Sequence, residues 1–112
     1  MAGFYSTYPT QTVPAGGTIT LSQNVGLQYR RVAGSVGGST TSVTPFGTTN
    51  MPIDGTIVVL CGTNNTDTLT LVSSTNSKGA NLNGNAVLRL GMILTLVWDE
   101  QLDIFRETSR NF

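Results

Sequence analysis

The stretch Ala86-Val87-Leu88-Arg89-Leu90-Gly91-Met92-Ile93-Leu94-Thr95-Leu96-Val97-Trp98 decides the fold class. Every second residue in it is apolar: Ala86, Leu88, Leu90, Met92, Leu94, Leu96 and Trp98. A strand sends alternate side chains to opposite faces, so this set predicts one continuously buried face, with Arg89, Thr95 and Asp99 on the other. After the polar break Asp99-Glu100-Gln101, the chain resumes as Leu102-Asp103-Ile104-Phe105-Arg106-Glu107, which reads as a return strand. Gly91 is the position where the long run is expected to turn or bulge without changing the parity of its apolar face. Seven alternating positions exceed what one small layer covers. Part of the set is therefore expected in the core and part at a subunit interface, with the role changing at Gly91.

Upstream, the same alternation marks further strands. Thr18-Ile19-Thr20-Leu21 predicts the first strand, and Leu27 to Ala33 a second, with Tyr29 and Arg31 on one side and Arg30 and Val32 on the other. Gly34 to Asn50 is rich in Gly, Ser and Thr and predicts a long loop with at most one short strand, near Thr41 to Thr44. Asp54-Gly55 is a turn signal ahead of Thr56-Ile57-Val58-Val59-Leu60-Cys61, which is apolar on both faces and predicts a central strand covered from two sides. Thr68 to Val72 alternates into the next strand, and Asn83-Gly84 marks a tight reversal because both residues tolerate positive φ. Pro9 and Pro14 interrupt pairing in residues 1–17, which read as an extended N-terminal arm carrying Phe4, Tyr5 and Tyr8 as candidate docking residues.

Strands at intervals of about 8 to 15 residues, broken by Gly, Asn, Ser and Pro and without helical periodicity, predict an all-β fold. The expected form is a jelly-roll-like antiparallel β-sandwich or barrel: a single domain over 18–112 behind the arm at 1–17. A chain of 112 residues buries roughly two-thirds of its unfolded surface, enough for a genuine core.

Charge narrows the partners. Six basic and six acidic residues cancel, and only 11% of the chain is charged, so the basic stripe that a phosphate backbone requires is missing and no nucleic-acid partner is expected. No apolar run approaches the roughly 20 residues of a membrane-spanning helix, and no signal peptide is visible at the start, so no membrane partner is expected either. Neutrality combined with apolar faces favours a subunit that works in an assembly, because copies do not repel one another. The single cysteine, Cys61, lies in an apolar run and reads as a buried thiol in a reducing compartment.

Catalytic chemistry finds little material. The absence of histidine removes the commonest general base and metal ligand. Asp99, Glu100, Asp103 and Glu107 are the available carboxylates, and their spacing fits a solvated hairpin end better than two carboxylates facing across a cleft. Asn64, Asn65 and Asp67, or Asp99, Glu100 and Asp103, supply oxygen ligands of the kind calcium takes, without recognisable ligand spacing. The expectation is a protein without catalytic residues, cofactor or metal.

The succession Gly55-Thr56-Ile57-Val58-Val59-Leu60-Cys61-Gly62-Thr63, Asp67-Thr68-Leu69-Thr70-Leu71, Asn81-Leu82-Asn83-Gly84, Gly91-Met92-Ile93-Leu94-Thr95-Leu96-Val97-Trp98-Asp99 and Phe105-Arg106-Glu107-Thr108-Ser109-Arg110-Asn111 resembles a β-structured module of tailed-phage virion proteins. Such modules occur in capsid decoration (cement) proteins and in head and tail fibres, usually as trimers. The likeness covers about residues 53 to 111. The chain departs from the pattern at Met92, where an acidic residue is usual, and near Phe105, where a tryptophan is usual. The resemblance implies a homotrimer on the outer surface of a virion, folded in the host cytoplasm, with the major capsid protein of the phage shell as partner. Phe4, Tyr5 and Tyr8 are then expected to contact the shell, and Leu88, Leu90, Met92, Leu94, Leu96 and Trp98 to form core or subunit interface. A chain that begins at a methionine and ends soon after the pattern suits a stand-alone decoration subunit. The alternative is a head-fibre or tail-fibre module that binds a receptor carbohydrate, with Tyr5, Tyr8, Tyr29 and Phe46 as stacking candidates.

Overall fold

A computed structural model describes residues 9–112, so Phe4, Tyr5 and Tyr8 lie outside the described residues. The described chain is all-β. Its nine strands are β1 (Gln11–Val13), β2 (Leu27–Gly34), β3 (Ser39–Thr40), β4 (Ile57–Gly62), β5 (Leu69–Leu71), β6 (Ala80–Asn81), β7 (Ala86–Leu88), β8 (Ile93–Asp99) and β9 (Ile104–Arg110). They form a six-stranded sheet in the order β1-β2-β4-β8-β9-β6 and a three-stranded sheet in the order β3-β5-β7. Both sheets are mixed. β1–β2, β2–β4, β3–β5 and β6–β9 pair parallel, whereas β4–β8, β8–β9 and β5–β7 pair antiparallel. Parallel neighbours need a long crossover, and the one from β2 to β4 contributes β3; β5 and β7 come from the connection between the antiparallel neighbours β4 and β8, and the three together make the small sheet.

The core fills the space between the inner faces. Val32, Val58, Leu60, Leu94, Leu96 and Phe105 from the large sheet meet Leu69, Leu71, Ala86 and Leu88 from the small one. Trp98 is 2% exposed, and its ring lies 4.7 Å from that of Phe105, which in turn lies 4.4 Å from Phe46.

The opening stretch divides where its glycine stands. Ala86–Leu88 belongs to the small sheet and Ile93–Asp99 to the large one, and Gly91, at φ +79°, makes the turn between them. Its parity survives on both sides: Ala86, Leu88, Leu94, Leu96 and Trp98 are all buried. Inside the turn it does not, since Leu90 is 62% exposed and Met92 is only partly buried against the core.

Two strand expectations change near the N terminus. Gln11–Val13, within the stretch read as an arm, forms the edge strand β1 with Val13 in the core, so the described part of that stretch enters the sheet at Gln11. Thr18–Leu21 is not a strand, although Ile19 is buried. Side chains occupy the backbone groups that a ladder would use. Gln11 Oε1 accepts from the Thr20 amide at 2.8 Å, while Gln11 Nε2 and Arg30 Nε donate to the Thr20 carbonyl at 3.0 and 3.3 Å. Gln28 holds Ser22 in the same way, through its amide at 2.7 Å and its carbonyl at 2.6 Å. The inward-facing polar residues of β2 therefore bind a segment that lacks a strand partner of its own.

Candidate interaction surface

The registers of β2, β4 and β8 set out the outer face of the large sheet in rows. Leu27, Ile57 and Val97 form one row, Tyr29, Val59 and Thr95 the next, and Arg31, Cys61 and Ile93 the third. β4 is central in the sheet, as expected, but covered from one side only. Val58 and Leu60 point into the core with no exposure, whereas Ile57 is 39% exposed and Val59 and Cys61 are partly exposed. Cys61 is thus half-buried on the outer face rather than a core thiol, a correction that follows from its odd parity with Leu60. The small sheet closes the other side of β4, and no described element covers this one.

Tyr29 anchors the middle of the face. The Arg31 guanidinium lies 5.7 Å from its ring centroid, a cation–π contact that keeps the nearest charge folded onto the sheet. Contact with the Cys61 thiol, reinforced by burial, raises the Tyr29 pKa above its ordinary value, away from physiological pH, where a phenol is neutral in any case. At the other margin, Arg106 pairs with Asp99 at 3.6 Å.

Of the expected core or interface residues, Leu88, Leu94, Leu96 and Trp98 are core, Met92 flanks the core, and Leu90 projects from the turn. None of them faces outward from the sheet; the outward set is Leu27, Tyr29, Ile57, Val59, Ile93 and Val97. In the sequence these residues are the interleaved partners of the core positions. The visible signal is the doubly apolar run Ile57–Cys61, whose pattern predicts cover on both sides and whose outer side the described residues leave open. Phe46 is buried against Phe105 and unavailable for stacking on a sugar, which leaves Tyr29 as the described stacking candidate.

Asp99, Asp103 and Glu107 are engaged in structure. Asp103, at φ +58°, accepts from Ser77 Oγ and pairs with Lys78 Nζ at 3.1 Å; these two partners lower its pKa. Glu107 and Arg110 form a two-pronged pair at 2.6 and 2.8 Å. In a regular strand, residues three apart point to opposite faces, so this pair requires the β-bulge between the Thr95–Ser109 and Leu96–Glu107 registers. The extra residue, Thr108, brings Glu107 and Arg110 to the same side. There Glu107 accepts from the Asn83 amide at 2.9 Å, and Arg110 donates to the Gly84 carbonyl at 3.0 Å, clamping the Asn83–Asn85 turn onto β9. Arg110 holds the Glu107 carboxyl below the usual range, and Glu107 raises Arg110. A polar depression of about 380 Å³ lies beside the clamp, lined by Asn81, Leu82, Asn83, Arg106, Glu107 and Thr108.

The oxygens considered for calcium serve the backbone. Asn64 Oδ1 accepts from the Thr66 and Asp67 amides, Asn65 Oδ1 from Leu90 and Asp67 Oδ1 from Gly37. Among the described residues, no group of three or more His, Cys, Asp or Glu side chains is placed to hold a metal ion.

No protein-family model matches the chain, and neither the curated proteins nor the solved structures include a significant match.

Proposed function

We propose that this protein is a structural virion subunit: a capsid decoration (cement) protein that self-associates as a trimer and stabilises an assembled phage shell. The observation that supports it best is the outer face of the large sheet. This face is largely apolar and uncharged across two rows, in a chain of zero formal net charge. Such a surface suits permanent contact between protein subunits, where charged residues are depleted and apolar area is buried. The likeness of residues 53–111 to phage virion modules supplies the context.

The mechanism is mechanical. A subunit that binds the assembled shell but not its dissociated components stabilises the shell by mass action, by about 2.7 kcal/mol per site at a free concentration of 100 Kd. A sheet face held in place by a packed core suits that task, because little conformational entropy is lost when it docks.

The test is particle stability. Phage particles lacking the protein are expected to lose genome at lower temperature, with resistance restored by adding purified protein back. Particles of equal heat resistance with and without it would end this reading. The alternative, a carbohydrate-binding fibre module, is favoured by Tyr29, an exposed aromatic ring beside a guanidinium on the outer face of the sheet. Binding of purified protein to a glycan array, lost in Tyr29→Ala, would establish that alternative instead.

A further inference from the structure

We infer that the outer face of β2, β4 and β8 is covered by a second copy of this chain. The inference rests on the self-association half of the function proposed above and is independent of any contact with a capsid. In a ring of three copies the face of one subunit meets a different surface of the next and only residues close to the axis meet their own counterparts; an uncharged face fits either place, because it leaves no charge buried unpaired or repelled by its own copy. The rows Leu27–Ile57–Val97 and Tyr29–Val59–Thr95 contain no charge. The charges at their margins are already engaged within the chain, Arg31 over the Tyr29 ring and Arg106 with Asp99.

Exposure points the same way. Leu27 is 62% exposed, Ile57 39% and Tyr29 36%; Val25 at 46% and Ile53 at 48% lie in the segments that lead into the same ends of β2 and β4. Leu27, Ile57 and Tyr29, with the half-buried Val59 and Val97 beside them in register, form one contiguous exposed patch of the kind that marks a contact with another protein. Zero net charge leaves no long-range repulsion between copies.

Cys61 makes the coverage measurable, since its thiol lies in the third row of the same face and is partly accessible in the isolated chain. The experiment combines light-scattering mass with the rate of maleimide labelling of Cys61. It compares the full chain, Leu27→Asp, Ile57→Lys and, as a control distant from the face, Val36→Lys, whose position is 96% exposed. The full chain and Val36→Lys are expected to be oligomers with slow labelling that accelerates on dilution. Leu27→Asp and Ile57→Lys are expected to run as folded monomers with fast labelling, their fold verified by the near-ultraviolet signal of Trp98. Oligomeric variants with unchanged labelling overturn the assignment of this face and leave self-association standing. A full chain that is monomeric at all concentrations overturns both. If both variants fail to fold, labelling of the full chain decides, and a rate independent of protein concentration refutes the inference.

Discussion

Gly62 ends β4 beneath the turn at Arg89–Met92, and a methyl group there has nowhere to go. A Cβ built on Gly62 would lie 2.1 Å from the Arg89 carbonyl oxygen, 2.8 Å from the Arg89 carbonyl carbon and 2.9 Å from its nitrogen. All three are backbone atoms, so no side chain can swing aside. The turn is also tied to Gly62 by two hydrogen bonds, from the Gly62 amide to the Met92 carbonyl and from the Gly91 amide to the Gly62 carbonyl, each 2.9 Å. Moving Arg89 by an ångström or more strains both. Overpacking costs about 1–3 kcal/mol, and each weakened hydrogen bond about 0.5–1.5 kcal/mol. The smaller entropy of an unfolded chain carrying alanine returns about 0.4–1 kcal/mol. Gly62→Ala should therefore destabilise the domain by about 2–4 kcal/mol, lowering Tm by roughly 10 °C or more. Gly26→Ala is the matched control, with no atom within 4 Å of its Cβ and no positive φ, and should be neutral or slightly stabilising. Scanning calorimetry of the two variants checks the prediction. Equal Tm values would mean that Arg89 does not cross Gly62 as described and that the division of the Ala86–Trp98 stretch between two sheets is misplaced.

Three further outcomes are expected. Trp98→Ala should cost about 3–5 kcal/mol by opening a core cavity, and Trp98→Phe clearly less, because the indole Nε1 finds no hydrogen-bond partner among the described residues and its removal relieves a buried donor; chemical denaturation measures both. The Glu107 carboxyl has a lowered pKa in the folded protein, so its contribution is fully present above its unfolded value of about 4.3 and is lost as pH falls through the folded value. Glu107→Gln should cost about 1–3 kcal/mol at pH 7 and flatten the acid limb of the stability–pH curve; an unchanged acid limb would place the titration elsewhere. Deleting residues 1–8, which spares β1 and its core residue Val13, should preserve the oligomer and weaken attachment to the particle; full occupancy of capsids by the shortened protein would remove those residues from the contact.

Much of the fold was legible because a period of two is a local signal. Ala86, Leu88, Leu94, Leu96 and Trp98 could be assigned to a core, and Gly91 to a turn, without knowing what they pack against. What alternation cannot encode is which sheet a strand joins. Ala86–Leu88 and Ile93–Asp99 share parity and composition, yet Gly62 decides their separation from a distance, by letting the backbone of the turn pass where a Cβ would meet the Arg89 carbonyl oxygen. Nor does propensity decide pairing: Thr18–Leu21 has the pattern of a strand, but the backbone groups of Thr20 are taken by the side chains of Gln11 and Arg30, and those of the adjoining Ser22 by Gln28, residues 6 to 10 positions away along the chain.

The interaction surface divides in the same way. The sequence by itself determined an all-β chain with no net charge, one cysteine, no histidine and an apolar run at Ile57–Cys61, because composition and alternation need no partner to be read. Only the tertiary structure decided that one side of that run is core and the other is open. A strand that is apolar on both faces demands cover twice, and the described residues supply it once, through the small sheet. The β-bulge at Thr108 makes the same point about charge. Glu107 and Arg110 become a pair only because one extra residue in β9 rotates them onto a common face, an event that depends on the register with β8 and leaves no mark in the spacing of the two residues.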